Sequence, residues 1–469
     1  MSRTPFLPLT YGQLSVWRSI EHLTEDRQHN ANLLWSWGLP DGHTTEEVNR
    51  ALSRLVERHA SLRTCYVRSG PRGIEQVVRP ATGVTAEQAE LPDGADAAGG
   101  ADGAGGADAV SGSDTESAWL DELGARLSGR RFDIGRDAPW RPLIVTRHSR
   151  PVRLLLCIHH LAADGAAIDL LRTELDSLLA GKDLGEPAPD CAGLAREQRS
   201  DLWAARTASA VAHWRRAADA APPALPESRT PAPLRWGTLR SRPAAHAVRA
   251  LATTARVSEH TAVLTVFLRT LAETTGERRI LLGLIAGNRV DGRSRRLVSS
   301  LDQLTPLLVE LDPDETFSDC AQRLHWESIR AYRNAAFDVD ALDGIRRAYG
   351  YDATGRGFRY FFNYMEDMGA GGEKEEAKEE ATALQAPPDD WSITTGAEGR
   401  DNGFPFYFRV GRSQELWCTL RDSTGTGDET GEGDPREPLV ERTRAFLTSF
   451  HTNLLDLVSR HADGGGPAW

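Results

Sequence analysis

The residues best able to do chemistry lie in one short segment, Cys157-Ile-His159-His160-Leu-Ala-Ala-Asp164-Gly165. Two adjacent histidines at the end of an apolar strand put their side chains on opposite faces. One points into a core and the other towards whatever lies beyond the strand end. A histidine fixed at a strand-to-helix turn can act as a general base, because its ordinary pKa lies near neutrality. Asp164-Gly165 makes the tight turn, with glycine supplying backbone freedom. A buried aspartate there needs a cation, and arginine suits it best.

The elements that position this segment follow from periodicity. Arg153 to Ile158 reads as a buried strand, followed by a helix over Ala166 to Ala180 with Ile168, Leu171, Leu175, Leu178 and Leu179 on one face. Thr44-x-x-Glu47 is a capping box opening a helix through Val48, Ala51, Leu52, Leu55 and Val56. Pro187 to Pro231 holds proline clusters around a helical WAARTASAVAHWRRAA and is the best connection between two halves. Beyond it, Ser258 caps a helix through Val263, Val266, Phe267 and Leu271. Strands are expected at Arg279 to Ala286, Leu304 to Leu311, Arg359 to Glu366, Phe404 to Val410 and Leu416 to Arg421, and a last helix over Pro438 to Leu457. This alternation predicts an α/β fold in two halves, 1–185 and 186–469. Asp93 to Thr115, Gly369 to Thr382 and Thr424 to Glu437 are too polar or glycine-rich to pack and are expected to be solvated loops.

Composition excludes several functions. The 469 residues carry 55 Lys+Arg and 67 Asp+Glu, a net charge of −12, which argues against nucleic acid or an anionic membrane surface as partner. Only three lysines occur, so nearly all the positive charge is arginine; we read that as compositional bias. Five scattered cysteines, without CxxC or Cys/His metal spacing, suit reduced thiols rather than disulfides or a metal site. No leader-like or membrane-spanning apolar run is present, which predicts a cytoplasmic protein. Trp35, Trp37, Trp391, Phe404, Phe406, Phe408 and Trp417 could line an aromatic pocket, but alternation such as Phe404, Phe406, Phe408 more often marks a sheet face packed on a core.

His159-His160-x-x-x-Asp164-Gly165 resembles the HHxxxDG motif of nonribosomal peptide synthetase condensation domains, of the chloramphenicol acetyltransferase-like superfamily. Other segments resemble that family in order: Leu9-Thr-Tyr-Gly-Gln13-Leu-Ser-Val-Trp17; Arg58-His59-Ala-Ser-Leu62-Arg63-Thr64; Arg131-Phe132-Asp133-Ile134 with Pro142-Leu143; Gly283-Leu-Ile-Ala-Gly-Asn288-Arg289 with Leu297-Val298; and Phe362-Asn363-Tyr364. The resemblance implies two acetyltransferase-like lobes in a V-shaped pseudo-dimer with a central tunnel. It implies acyl transfer from a carrier-protein phosphopantetheine thioester to an amine or hydroxyl, on a small-molecule or carrier-bound acceptor. His160 would orient or deprotonate the acceptor, and the Gly165 N–H would meet the developing oxyanion. His159 would be structural. Asp164 would pair with an arginine, Arg289 first and Arg63 second. The enzyme would bind no cofactor of its own and would meet its carrier protein in trans, as a free-standing monomer. No carrier serine motif, adenylation phosphate loop, heterocyclisation motif or epimerase motif accompanies it. Two alternatives stand beside this reading: an acyl-CoA donor, and a non-catalytic protein that recruits a partner enzyme. Departures from the family pattern fall at Ala167, where serine is usual, and at Gln303 and Leu304, where asparagine and threonine are usual.

Overall fold

The computed structural model describes residues 6–70, 73–92, 112–225, 235–365, 390–396, 404–412, 415–424 and 437–462. They form two compact units. The first is Met1–Arg199 with Arg289–Leu301, and the second is Ser200–Asn288 with Asp302–Trp469. Against the expected division at 185/186, residues 186–199 and the distant stretch 289–301 go with the first unit. The change of unit at Arg199/Ser200 falls inside the Pro187 to Pro231 stretch.

In the first unit, a four-stranded sheet runs in the order Asn32–Gly38, Arg150–His159, Trp140–Arg147, Glu87–Glu90. Arg150–His159 is central and antiparallel to both neighbours. Its Leu154, Leu156 and Ile158 pack with the helices Thr45–Arg58 and Gly165–Leu179. Its Leu155 and Cys157 pack with Leu123 and Leu127 of the helix Gly112–Gly129 and with Phe132. A strand covered on both faces needs an unbroken apolar run, which is why RLLLCI lacks alternation. A second sheet pairs Leu7–Pro8, Ile74–Val78 and Thr64–Arg68.

The second unit is a seven-stranded sheet in the order Gln303–Glu310, Arg279–Ala286, Tyr360–Met365, Phe406–Arg412, Leu416–Asp422, Arg235–Ser241, Trp391–Gly396. Tyr360–Met365 runs parallel to both of its neighbours, and the other pairs are antiparallel. Phe362, Phe406, Phe408, Leu416, Cys418 and Leu420 join the main core with the helices Arg242–Ala255, Glu259–Thr275, Phe317–Arg333 and Glu437–Ala462. Phe406 and Phe408 are therefore core, as alternation suggested, whereas Phe404 precedes the strand and stacks on Phe361.

Two boundaries differ from expectation. The helix Gly112–Gly129 takes in the end of the stretch assigned to a loop up to Thr115. Apolar Trp119, Leu120, Leu123 and Leu127 draw the helix on, and the short Gly-Ser-Asp-Thr entry follows it at little cost. The remainder of that stretch, all of Gly369 to Thr382 and nearly all of Thr424 to Glu437 lie outside the described residues.

The helix pair over the motif strand is locked by a buried triad. Glu174 Oε1 accepts from Arg58 Nε at 3.0 Å, and its Oε2 meets His59 Nε2 at 2.5 Å. Burial works against the Glu174 carboxylate, but His59 and then Arg58 outweigh it and hold its pKa below the ordinary value. A carboxyl with a lowered folded-state pKa lends stability above its unfolded pKa and loses it as pH falls through the folded one. Glu174→Gln is expected to cost about 1–3 kcal/mol at neutral pH. It should also flatten the acid limb of stability, both read by urea melts from pH 7.5 down to pH 3; parallel wild-type and variant curves would remove Glu174 from that titration.

Candidate active site

The site is built on the end of the strand Arg150–His159 and the turn into the helix Gly165–Leu179. His159 is buried and faces Phe132 edge-on, with ring centroids 6.1 Å apart. Its Nδ1 accepts from the Leu161 N–H at 3.2 Å. Burial, then the neighbouring His160 and Arg141, push its pKa down to about 3. His159 is thus a neutral imidazole that braces the turn from inside, as a structural residue.

His160 points the other way and is partly exposed. Its backbone N–H donates to Ala31 O at 2.8 Å. Its Nδ1 lies 3.0 Å from Ala163 O. A carbonyl only accepts, so Nδ1 carries a proton, and in the neutral ring the lone pair is on Nε2. Ser300 Oγ lies 3.4 Å from the same Nδ1.

Asp164 is wholly buried and caps the helix, its Oδ1 accepting from Ala167 N–H at 2.8 Å. Arg289 Nη2 donates to the same Oδ1 at 2.7 Å, and Leu301 N–H donates to Oδ2 at 2.9 Å. Arg289 also gathers Ser294 O, Leu297 O and Ser299 O. It is the partner of Asp164. Arg63 is not: it donates to Val56 O and Arg79 O, closing the end of the helix Thr45–Arg58 onto the neighbouring strand. The reason lies in the chain path, since Arg63 follows that helix directly and its reach is spent on free carbonyls there. Gly165 opens the helix, so its N–H has no acceptor within it.

Sequence reading singled out the segment holding Gly12 and Gln13 but not the contacts these residues make, and it missed Tyr66. Gln13 closes a capping box with Thr10 and donates from Nε2 to Tyr66 Oη at 3.2 Å. Tyr66 donates in turn to Leu161 O, inside the motif turn, at 3.1 Å. Burial holds the Tyr66 hydroxyl well above its ordinary pKa, hence protonated and able to donate. Tyr66 stands in no motif, and only the pairing of Thr64–Arg68 with Ile74–Val78 brings it there. Gly12, within the N-terminal motif, is a site of close approach. A Cβ there would stand 2.5 Å from both Leu301 Cα and Ser300 O.

The departures are absorbed by packing. Ala167 is buried in the core beneath the helix. In the second unit Gln303 donates to Phe337 O at 2.8 Å and accepts from Phe337 N–H, while Leu304 is buried against Gly283. Among the described residues, no group of three or more His, Cys, Asp or Glu is placed to hold a metal ion, and no helix is long and apolar enough to cross a membrane. All five cysteines are free thiols.

A condensation domain family model matches residues 6–386. The chain belongs to the condensation domain family. Among curated relatives, the AMB antimetabolite synthetase AmbB of Pseudomonas aeruginosa is 31% identical over 284 residues, covering 59% of this chain and 21% of that protein. The phosphinothricin tripeptide synthetase PhsC of Streptomyces viridochromogenes is 28% identical over 342 residues, covering 69% of this chain and 29% of its own. The chain therefore spans less than a third of the length of either. Among solved structures, the condensation domain of the Monacolin K polyketide synthase MokA aligns with a TM-score of 0.73 at 16% identity, covering 97% of this chain and 98% of that one. SgcC5 from Streptomyces globisporus aligns at 0.70 and 19% identity, covering 97% and 99%. These alignments establish the condensation-domain fold, with its two acetyltransferase-like lobes.

The close approach at Gly12 gives a direct test of this frame. Gly12→Ala must move backbone, and is expected to lower the melting temperature by several degrees (~1–3 kcal/mol). An unchanged melting curve would contradict the close contact with Ser300 and Leu301.

Proposed function

We propose that the chain forms an amide or ester bond, passing an acyl or aminoacyl group from a carrier-protein thioester to an amine or hydroxyl acceptor. The observation that carries this reading is the Nδ1 hydrogen bond of His160 to Ala163 O, which leaves a basic Nε2 on a ring held by the turn. In the proposed step Nε2 takes the proton from the attacking N–H or O–H as the new C–N or C–O bond forms. The C–S bond of the thioester then breaks, and the proton passes to the departing thiolate. The thioester is already activated, so much of the demand is alignment. The Gly165 N–H, without an intrahelical acceptor, is our candidate donor to the oxyanion. His159, Asp164 and Arg289 act as positioning residues.

This reading has the chain working as a monomer in the cytoplasm on a carrier protein supplied in trans. It needs no cofactor of its own, since the phosphopantetheine arm arrives with the substrate. The phosphinothricin and AMB synthetases are named for natural-product assembly, and we extend that setting to this chain as part of the proposal.

His160→Ala is expected to lower product formation about 10²- to 10⁴-fold with the fold intact, followed by intact-mass analysis of an acylated carrier protein with candidate acceptors. Wild-type turnover by that variant would remove His160 from the mechanism. Running the same acyl group on coenzyme A is expected to give far slower turnover; equal rates would overturn the carrier-borne donor.

A further inference from the structure

The helices Arg242–Ala255, Glu259–Thr275, Phe317–Arg333 and Glu437–Ala462 share the core on one face of the seven-stranded sheet of the second unit. On the other face, strand register aligns a transverse polar row: Asn363 beside Arg409, Arg409 beside Thr419, and Thr419 beside Thr238. All four side chains are half-buried, and Arg409, Thr419 and Thr238 each stand between buried neighbours on their own strand. A solvated sheet face needs no such row, but the row also contains a cation without a counter-charge. Arg409 Nε lies 2.7 Å from Met365 Sδ, and its guanidinium stands 5.2 Å from the centre of the Trp417 ring. Among the described residues, no carboxylate is within ion-pair distance of it. The other three residues of the row are already bonded: Thr238 and Thr419 bond one another, and Asn363 Nδ2 donates to Tyr407 Oη at 2.7 Å.

The aromatic rings beside the row lie flat. A Cβ at Gly411 would be 2.1 Å from Trp417 Cζ2, and one at Gly396 would be 2.6 Å from Trp236 Nε1. Each tryptophan faces a glycine as its cross-strand partner, so each indole lies down across bare backbone and turns a ring face outward. Tyr407, whose oxygen accepts from Asn363, keeps its own O–H free to donate. A guanidinium lying over an aromatic ring, with its Nη groups unspent, is built to take a planar anion in two parallel hydrogen bonds. The ring face beside it suits an aromatic or other planar body.

We propose that this face binds a small molecule that carries a carboxylate on an aromatic body, the carboxylate on Arg409 and Tyr407 and the ring on Trp417. The binding stands on the sheet face alone; that the molecule is a substrate rests on the function proposed above. Its chemistry is that of an aromatic acid, and it separates from the other anion at hand, the phosphate of a pantetheine arm, by shape.

The full chain is titrated calorimetrically with N-acetyl-L-phenylalanine, its neutral amide, and pantetheine 4′-phosphate. Binding of the acid is expected to exceed that of the amide and of the phosphate by at least tenfold. Arg409→Gln should weaken the acid about 10- to 100-fold and leave the amide unchanged. Arg409→Lys should restore part of the loss, and Trp417→Leu should weaken acid and amide alike. Circular dichroism melts check that each variant is folded. Equal affinity for acid and amide, an acid affinity untouched by Arg409→Gln, or preference for the phosphate overturns the proposal. The acid should bind the His160→Ala chain as it binds the wild type. Retained binding beside a turnover unaffected by His160→Ala would separate failure of the reaction from failure of this site.

Discussion

A carboxylate with no solvent exposure has to be neutralised where it stands, and the first unit is arranged around that demand. Asp164 meets it with a guanidinium, a backbone N–H from its own helix and a second N–H from Leu301. Removing one member of such a set leaves a buried charge unmatched, at a cost of about 3–5 kcal/mol. The pair does more than offset charge. It fixes the helix start that follows His160, and it fastens the stretch 289–301 to a unit whose other residues all precede residue 200. Ser300, which approaches His160 Nδ1, is held through the same set.

The two histidines show how one strand end divides its labour. His159, sealed in and kept neutral, accepts a hydrogen bond from the turn. His160, one residue on, is oriented from its Nδ1 side by Ala163. Adjacent positions on a strand face opposite ways, so two identical side chains acquire opposite surroundings, one buried and one partly exposed. Tyr66, on a separate sheet, then props the turn and is itself held by Gln13 of the first helix, and Gly12 lets that helix close onto Ser300 and Leu301. The N-terminal motif therefore serves the turn by contact, not by chemistry of its own.

Elements with a strong local signature were legible from the residues. The capping box at Thr44, the apolar strands Arg150–His159 and Arg279–Ala286, and the helix Gly165–Leu179 stand where periodicity put them. Asn32–Gly38 and Trp391–Gly396 escaped, because their residues are half-exposed and their strand character comes from pairing with a neighbour. The helix Gly112–Gly129 was cut short for a related reason, its opening residues being poor helix formers carried by the apolar turns that follow.

The sequence by itself determined the α/β alternation, the turn that carries the two histidines and, through an ordered set of motifs, the family. Those signals are local, written in caps, apolar runs and short spacings. Only the tertiary structure decided that Asp164 pairs with Arg289 rather than Arg63, that Tyr66 supports the turn, and that Arg409 stands over Trp417. Each of these joins residues far apart in the chain or set side by side by strand register. Such contacts are fixed by how sheets pair and where a returning segment packs, and no local pattern encodes them.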